Sequence, residues 1–268
     1  MKTDSTADYC RLKAAEPGTN FYYATLYYPP ETRHKLFCIH AFANELAGIL
    51  TECTDPGVAR MKLAWWYDEV QRLYKKQPRH PVTKELLHSL TGMEGMGQFF
   101  TQLINFYDQQ INFQQPQTYS ELMEFLQAGQ GLLWRYSADI CTYRDPLTPD
   151  TISELGCQFS YFQILQNIPF NEQGNRYYCP VEEANDANDN YGLYAVQVER
   201  MIRELGKITG KLPAVDRKPQ QYAIILAKII SATCKEIAQS GFRLSEERVT
   251  LTPLRKFWIA WRTHRVEC

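Results

Sequence analysis

Residues 20–46 read "NFYYATLYYPPETRHKLFCIHAFANEL", and the second half of this stretch decides the fold class. From Pro30 to Leu50, apolar residues recur at intervals of three and four, which places them on one face of a helix. These residues are Leu36, Ile39, Phe42, Ala43, Leu46, Ile49 and Leu50. No stretch of useful length shows the period-two alternation of a strand, so the chain is predicted to be all-α.

The same periodicity predicts further helices on both sides of this stretch. A helix is expected from about Asp55 to Lys75, with Asp55 as the N-cap and Pro56 just inside it. Later helices are predicted at roughly 82–91, 96–113, 118–142, 149–169, 191–208, 217–240 and 252–264. No repeat or low-complexity linker divides the sequence, so one domain over residues 1–268 is predicted.

The composition is that of a globular protein without a strong charge bias. Hydrophobic residues make up 44% of the 268 residues, charged residues 22%, and the formal net charge is -1. This balance gives no reason to expect nucleic-acid binding. The beginning of the chain lacks the apolar segment of a secretory signal, and no apolar run reaches the roughly 20 residues that span a bilayer. We therefore expect a cytoplasmic protein without a transmembrane span, and peripheral membrane association is left open.

Cysteine and histidine spacing gives no metal-binding pattern. The eight cysteines form no CxxC pair, and the five histidines show no ligand spacing, so reduced thiols and no zinc site are expected. His34 and His40 flank Cys38 on the predicted helix, which leaves two interpretations open. A Cys–His dyad is conceivable, whereas a buried histidine with a satisfied hydrogen bond is the favoured interpretation.

Four stretches together resemble one protein family. They are residues 20–46, "KLAWWYDEVQRLY" (62–74), "PRHPVTKEL" (78–86) and "GFRLSEERVTLTPLRKFWIAWR" (241–262). In this order, from Tyr9 to about Arg262, the chain resembles the squalene/phytoene synthase family of head-to-head prenyltransferases. The resemblance implies a single-domain isoprenoid synthase (terpenoid synthase-like) helical bundle around a central cavity. In an active member, two helices facing that cavity each carry a DxxxD-type motif, whose carboxylates bind the Mg²⁺ that holds the substrate diphosphates.

The first motif is degraded in this chain. An ungapped match places its acidic pair on Ala47 and Gly48 and its later aspartate on Thr51. The arginine of the motif falls on Asn44, and a diphosphate-binding lysine upstream falls on Thr19. Positions 44, 47, 48 and 51 share one helix face, and that face carries no charge.

The second motif is degraded as well. Its two aspartates fall on Asn167 and Asn171, and the polar residues before them fall on Ser160 and Gln163. Pro169 lies inside the motif, where a proline is expected to kink or end the helix. Polar or aromatic positions that the resemblance marks for residual ligand binding are Phe21, Gln166, Arg176 and Tyr178.

Two hypotheses about function follow from this resemblance. The first is a protein that has lost metal-dependent prenyl diphosphate condensation and binds an isoprenoid, a lipid or a protein partner, without a cofactor. A branch of the family that assists the assembly of respiratory complex I has similarly degraded motifs and wording close to "AFANEL". The alternative is an active prenyltransferase or other isoprenoid enzyme with a non-standard diphosphate site, and Mg²⁺ is expected only in that case.

The segment "RKFWIAWRTHR" (255–265) mixes basic and aromatic residues. It is either a membrane-surface or partner-docking helix, or a C-terminal helix that packs its aromatic residues into the core. The second interpretation is favoured, with Phe257, Trp258 and Trp261 inward and Arg255 and Lys256 outside.

Overall fold

The computed structural model describes residues 5–89, 96–167, 178–186, 189–242, 244 and 248–268. Within these ranges the regular structure is helical and no strand occurs, which confirms the all-α prediction. The chain divides into two compact units, Met1–Asn112 and Phe113–Cys268. The organisation as one domain stays a prediction.

The first unit is built around one long helix. Its helices are α1 (Thr6–Ala15), α2 (Asn20–Ala24), α3 (Pro30–Glu52), α4 (Pro56–Tyr74), α5 (Pro81–Ser89) and α6 (Met96–Ile111). Helix α1 packs along α3, and α3 also contacts α4, α5 and α6. All seven apolar residues predicted to form one face of α3 are buried. Phe42, for example, lies edge-on to Trp66 of α4 and Phe100 of α6, so the predicted face is the core of this unit.

The second unit packs its helices around α9 and α12. Its helices are α7 (Tyr119–Leu126), α8 (Leu132–Cys141), α9 (Thr148–Gln166), α10 (Val181–Asp186), α11 (Asn190–Lys211), α12 (Gln221–Gln239) and α13 (Pro253–Val266). A π-helical segment, Gln127–Gly131, joins α7 to α8, and a short 3₁₀ turn, Ala214–Asp216, precedes α12. Helix α9 contacts α7, α8, α11 and α12, and α13 packs on α12.

A glycine allows α8 and α9 to approach closely. A Cβ atom on Gly156 would lie 2.4 Å from Cγ and Cδ1 of Trp134, a distance that side chains essentially never adopt. The Trp134 ring is stacked on Tyr222 of α12, with 5.5 Å between ring centroids, and lies edge-on to Phe159 of α9. Gly156 is therefore a packing residue that makes room for a buried tryptophan.

Several helices differ from the predicted bounds by three or four residues: the helix predicted from 217 begins at Gln221, and the one predicted to end at 208 continues to Lys211. The helix predicted over 118–142 is interrupted by the π-helical segment, which the residues "QAGQG" do not signal by periodicity. The helix predicted over 149–169 ends at Gln166, three residues before Pro169, and Asn167 caps it with its backbone N–H bonded to the Ile164 carbonyl. This end is consistent with the expected effect of a proline on a helix.

Three short helices, α1, α2 and α10, were not predicted. In α1 the buried residues are Cys10, Ala14 and Ala15, whose small side chains give a weak hydrophobic periodicity. Its start is fixed locally, because the Ser5 side chain accepts a hydrogen bond from the Asp8 N–H at 3.1 Å.

The orientation expected for the C-terminal helix is wrong for four of its five residues, since only Arg255 is exposed as expected. Phe257, Trp258 and Trp261 are exposed, whereas Lys256 is only 8% exposed. Helix α13 packs on α12 through Lys256, Ala260 and Thr263, which follow one another at intervals of four and three. Small side chains and the aliphatic part of a lysine form the contact, so the larger aromatic side chains lie on the opposite side.

Candidate functional site

The first motif lies on the last turns of α3, and its polar side chains are bonded to backbone. Asn44 and Thr51 are exposed, while Ala47 and Gly48 are half-buried. The Asn44 Nδ2 donates to the carbonyl of Lys13 in α1 at 2.9 Å, and the Thr51 hydroxyl donates to the Gly48 carbonyl at 3.0 Å. The amide at position 44 therefore fastens α1 to α3.

A cation from α1 lies beside this face. The Lys13 ammonium pairs with Glu45 at 3.3 Å, and the Tyr9 hydroxyl donates to the same carboxylate oxygen at 2.6 Å. Burial and the hydrogen bond to Glu45 raise the pKa of Tyr9, so this phenol stays protonated and donates. A Cβ atom on Gly48 would lie 3.8 Å from the Lys13 Nζ and 3.6 Å from Oε1 of Glu52. Lys13 was not among the predicted site residues, because the helix that carries it was not predicted.

Gly48→Ala is expected to raise the free energy of unfolding by about 0.5–1 kcal/mol. Glycine in the interior of a helix is less favourable than alanine by this amount, and the added Cβ would make only ordinary contacts. Urea unfolding of the natural chain and the variant measures the difference. Ala47→Gly at the neighbouring position serves as the control and is expected to lower stability by a similar amount. A destabilised Gly48→Ala variant would contradict the packing of α1 against this face.

The second motif lies at the end of α9, and one of its members is outside the described residues. Ser160 and Asn167 are half-buried and Gln163 is exposed. The Asn167 Nδ2 donates to the Gln163 carbonyl at 2.9 Å, so two predicted site residues are joined through the helix end. Asn171 lies outside the described residues. The resemblance to the family implies that the two motifs face each other across the cavity, and this arrangement stays a prediction.

Three of the four residues predicted for residual ligand binding lie within the described residues and contact other protein groups. The Gln166 Nε2 donates to the Val249 carbonyl at 2.8 Å. Tyr178 is buried and stacks on Phe113, with 4.6 Å between ring centroids. Phe21 is half-buried, and its ring centroid lies 4.2 Å from that of His40. Arg176 lies outside the described residues, and the binding roles of all four stay predictions.

A buried thiol cluster joins α1, α3 and α5. The Cys38 Sγ lies 3.6 Å from both the His34 Nε2 and the Ser89 Oγ, and the same His34 nitrogen lies 2.8 Å from a Glu85 carboxylate oxygen. Hydrogen bonds from Cys10 and His34 lower the pKa of Cys38 to about 6, against the opposing effect of burial. The contact with Cys38 raises the pKa of His34 to about 9. The contacts of His34 are those expected in a Cys–His dyad. Cys38 itself is fully buried, so its thiol is not accessible to solvent.

His40 differs from His34. It is 7% exposed, and burial lowers the pKa of its imidazole to about 3. His40 thus agrees with the buried-histidine interpretation. The partners of Cys38 on α1 and α5 could not be inferred from sequence spacing, because they are distant in the chain.

Among the residues that the structure describes, no group of three or more His, Cys, Asp or Glu side chains is arranged to hold a metal ion. Over the same residues, no helix is both long enough and apolar enough to cross a membrane.

Comparison with known proteins identifies the family. The sequence profile described as squalene/phytoene synthase matches residues 14–255. The chain therefore belongs to the squalene/phytoene synthase family.

Solved structures with the same fold cover nearly the whole chain. A dehydrosqualene synthase in complex with ligand is similar with a TM-score of 0.81, over 97% of this chain and 95% of that chain, at 15% identity. The squalene synthase HpnC from Alicyclobacillus acidocaldarius is similar with a TM-score of 0.71, over 88% and 94% of the two chains, at 15% identity. The all-α isoprenoid synthase fold predicted from the sequence is confirmed.

The curated relatives that match the sequence are named as assembly factors, whereas the solved structures are named as synthases. The chain is 21% identical over 183 residues to the NADH dehydrogenase (ubiquinone) complex I, assembly factor 6, of Bos taurus, which covers 68% of this chain and 55% of that protein. The human protein of the same name is 20% identical over 178 residues, or 66% of this chain and 54% of that protein. The chain thus spans about half the length of the curated relatives it matches.

Proposed function

We propose that this chain does not catalyse metal-dependent prenyl diphosphate condensation and acts as an isoprenoid-binding, lipid-binding or assembly-type module. The observation that carries the proposal is the uncharged motif face of α3, formed by Asn44, Ala47, Gly48 and Thr51. Mg²⁺ prefers anionic oxygen ligands, and a diphosphate leaves as an anion that needs such a metal to neutralise it. The four motif positions offer no such ligands, and the nearby Glu52, whose Oε1 would lie 3.6 Å from a Cβ atom on Gly48, supplies a single carboxylate in place of the motif's several.

The position of Lys13 supports the same proposal. Its ammonium lies near Gly48, one of the two positions where the acidic pair is expected. A fixed positive charge at this distance repels a divalent cation, and half-burial of Lys13 limits the screening by solvent. The neighbouring Glu45 is bonded to Lys13 and Tyr9, so its carboxylate is already neutralised within the protein.

The curated relatives support the assembly-type form of the proposal. Their names describe an assembly factor, and the matched region covers about two thirds of this chain. The proposed partners are accordingly proteins of a complex under assembly. Isoprenoid or lipid binding is the other form, in keeping with a fold that accommodates prenyl chains in the family.

The test is a condensation assay with the purified full chain. Farnesyl or geranylgeranyl diphosphate is supplied with Mg²⁺, and both prenyl product and released diphosphate are measured. We expect neither above the level of a protein-free control, while a squalene synthase of known activity, assayed in parallel, forms both. Magnesium-dependent product from this chain would overturn the proposal and favour an active prenyltransferase.

A binding measurement separates the two forms of the proposal. Farnesyl diphosphate and farnesol are titrated without metal, and the melting temperature is followed, because a ligand that binds the folded state raises it. A saturable rise with either compound supports an isoprenoid-binding module. An unchanged melting temperature together with an inactive condensation assay supports the assembly-type module.

A further inference from the structure

The outward side of α13 forms a continuous apolar stripe. Its members Leu254, Phe257, Trp258 and Trp261 are 77%, 45%, 55% and 38% exposed. Their spacing of three and four residues places them on one side of the helix, opposite the side that packs on α12. The rings of Trp258 and Trp261 are stacked, with 5.0 Å between centroids. Adjacent exposed aromatic residues of this kind indicate an interaction surface.

The exposed charges beside the aromatic rings of this stripe are positive. Between Pro253 and Val266 the helix has four Lys and Arg residues and no acidic residue, and one of the four, Arg255, is ion-paired with Glu236 of α12. Arg262 and Arg265 are exposed beside the aromatic rings. The next carboxylate along the chain, Glu267, lies 3.1 Å from Lys228 and 3.5 Å from Arg217, so its charge is neutralised. Because the whole chain has a net charge of -1, this basic helix is a local feature.

We propose that the outward face of α13 docks in the plane of an anionic lipid surface. Tryptophan and phenylalanine partition to the interface between headgroups and acyl chains, and arginines beside them bind lipid phosphates. Trp258 and Trp261 are placed to enter this interface, with Arg262 and Arg265 at the level of the phosphates. The positive charges of Arg262 and Arg265 favour binding to a negatively charged membrane over a neutral one. This inference rests on α13 alone and does not depend on the proposed function.

The packing of α13 limits how deep it can insert. Its other side is fixed to α12 through Ala260 and Thr263, which are buried. The helix therefore contributes one stripe of side chains and keeps its backbone outside the acyl layer. Shallow docking of this kind depends strongly on charge and weakens as salt screens the arginines.

Vesicle co-sedimentation of the full chain tests the proposal. Vesicles of phosphatidylcholine alone are compared with vesicles that contain roughly 30% phosphatidylserine, at low and high salt. We expect binding to the phosphatidylserine vesicles at low salt, at least tenfold weaker binding to phosphatidylcholine, and loss of the preference at high salt. The double variant Trp258→Ala/Trp261→Ala is expected to bind at least tenfold more weakly. Arg262→Gln/Arg265→Gln is expected to lose the preference for phosphatidylserine.

The control is a more exposed pair of large side chains on another helix. Met61 and Tyr67 of α4 are 75% and 45% exposed, and Met61→Ala/Tyr67→Ala is expected to bind vesicles as the natural chain does. Thermal melts establish that each variant is folded. Quenching of the natural chain's tryptophan fluorescence by brominated lipids provides a readout that needs no variant, and we expect it with phosphatidylserine vesicles.

Two results would overturn the proposal. One is a natural chain that neither sediments with phosphatidylserine vesicles nor shows quenching. The other is equal weakening by the α4 control variant, which would mean that general hydrophobicity causes the binding. Self-association that Trp258→Ala/Trp261→Ala abolishes, without vesicle binding, would instead assign this face to a second copy of the chain.

Discussion

Glu69→Ala is expected to lower the free energy of unfolding by about 3 kcal/mol, because it leaves one buried donor, Thr83, and three partly buried donors without their acceptor. One oxygen of this fully buried carboxylate accepts the N–H groups of Arg79 and His80, at 2.5 and 2.8 Å, and the Thr83 hydroxyl at 2.6 Å. The other carboxylate oxygen accepts a hydrogen bond from the Nε–H of Arg72 at 2.8 Å. Urea unfolding measures the loss, and a change below about 1 kcal/mol would contradict this assignment.

The pH dependence of stability provides a second readout at the same residue. Burial alone would raise the pKa of Glu69, but the hydrogen bonds from Thr83, His80, Arg72 and Arg79 lower it from 4.5 to about 2. Because the pKa of Glu69 is lower in the folded state than in the unfolded state, its ionised carboxylate stabilises the fold at pH values above about 4.5. This contribution is lost as the pH falls from about 4.5 towards 2.

Glu69→Gln separates this contribution from the rest of the protein, because glutamine has nearly the same shape and no charge. The stability difference between the natural chain and this variant is expected to be largest at neutral pH and to shrink as the pH falls through that range. A constant difference over the same range would show that the ionised carboxylate is not what stabilises the connection between α4 and α5.

Gly156→Ala is expected to destabilise the second unit by about 3 kcal/mol, the upper part of the usual range for overpacking a core. The added Cβ would overlap Trp134, and the indole is 5% exposed and held between Tyr222 and Phe159. Either α8 and α9 must separate or the indole must leave its stacking position. Urea unfolding measures the effect, and near-ultraviolet circular dichroism reports the altered indole environment.

The matched control is Gly206→Ala on α11. Among the described residues, no atom outside the helix's own backbone lies within 4 Å of a Cβ added at Gly206, so this variant is expected to gain about 0.5–1 kcal/mol from helix propensity alone. The two variants are therefore expected to change the free energy of unfolding in opposite directions. Equal effects would mean that backbone propensity, and not the contact with Trp134, governs position 156.

Hydrophobic periodicity predicted the helices whose buried faces are large and apolar. Helix α3 is the clearest case, since every residue assigned to its core face is buried. The same criterion failed for α13, because its contact with α12 uses Lys256, Ala260 and Thr263 while its aromatic residues are exposed. Periodicity identifies a face of large apolar side chains, but it does not reveal whether protein or another surface covers that face.

The sequence predicted which positions of the candidate site share one helix, but it did not predict the contacts between different helices. The positions of the first motif share the end of α3, as their spacing predicted. Lys13 could not be placed there from sequence, since α1 buries only Cys10, Ala14 and Ala15 and has little amphipathic signal. The same is true of the contact between Cys38 and Glu85, two residues brought together only by the packing of α3 and α5.

The position of Lys13 makes the order of substitutions matter if metal ligands are to be introduced on the motif face of α3. An aspartate introduced at Gly48 alone would meet an ammonium group of the same chain, held close by the packing of α1 on α3. It would form an internal ion pair before it could bind a dissolved divalent cation. The effects of Lys13 and of a new carboxylate are therefore non-additive, and a double-mutant cycle would measure their coupling. Carboxylates added after the replacement of Lys13 would not meet its ammonium group, so the first substitution towards a metal site belongs on α1 and not on the motif itself.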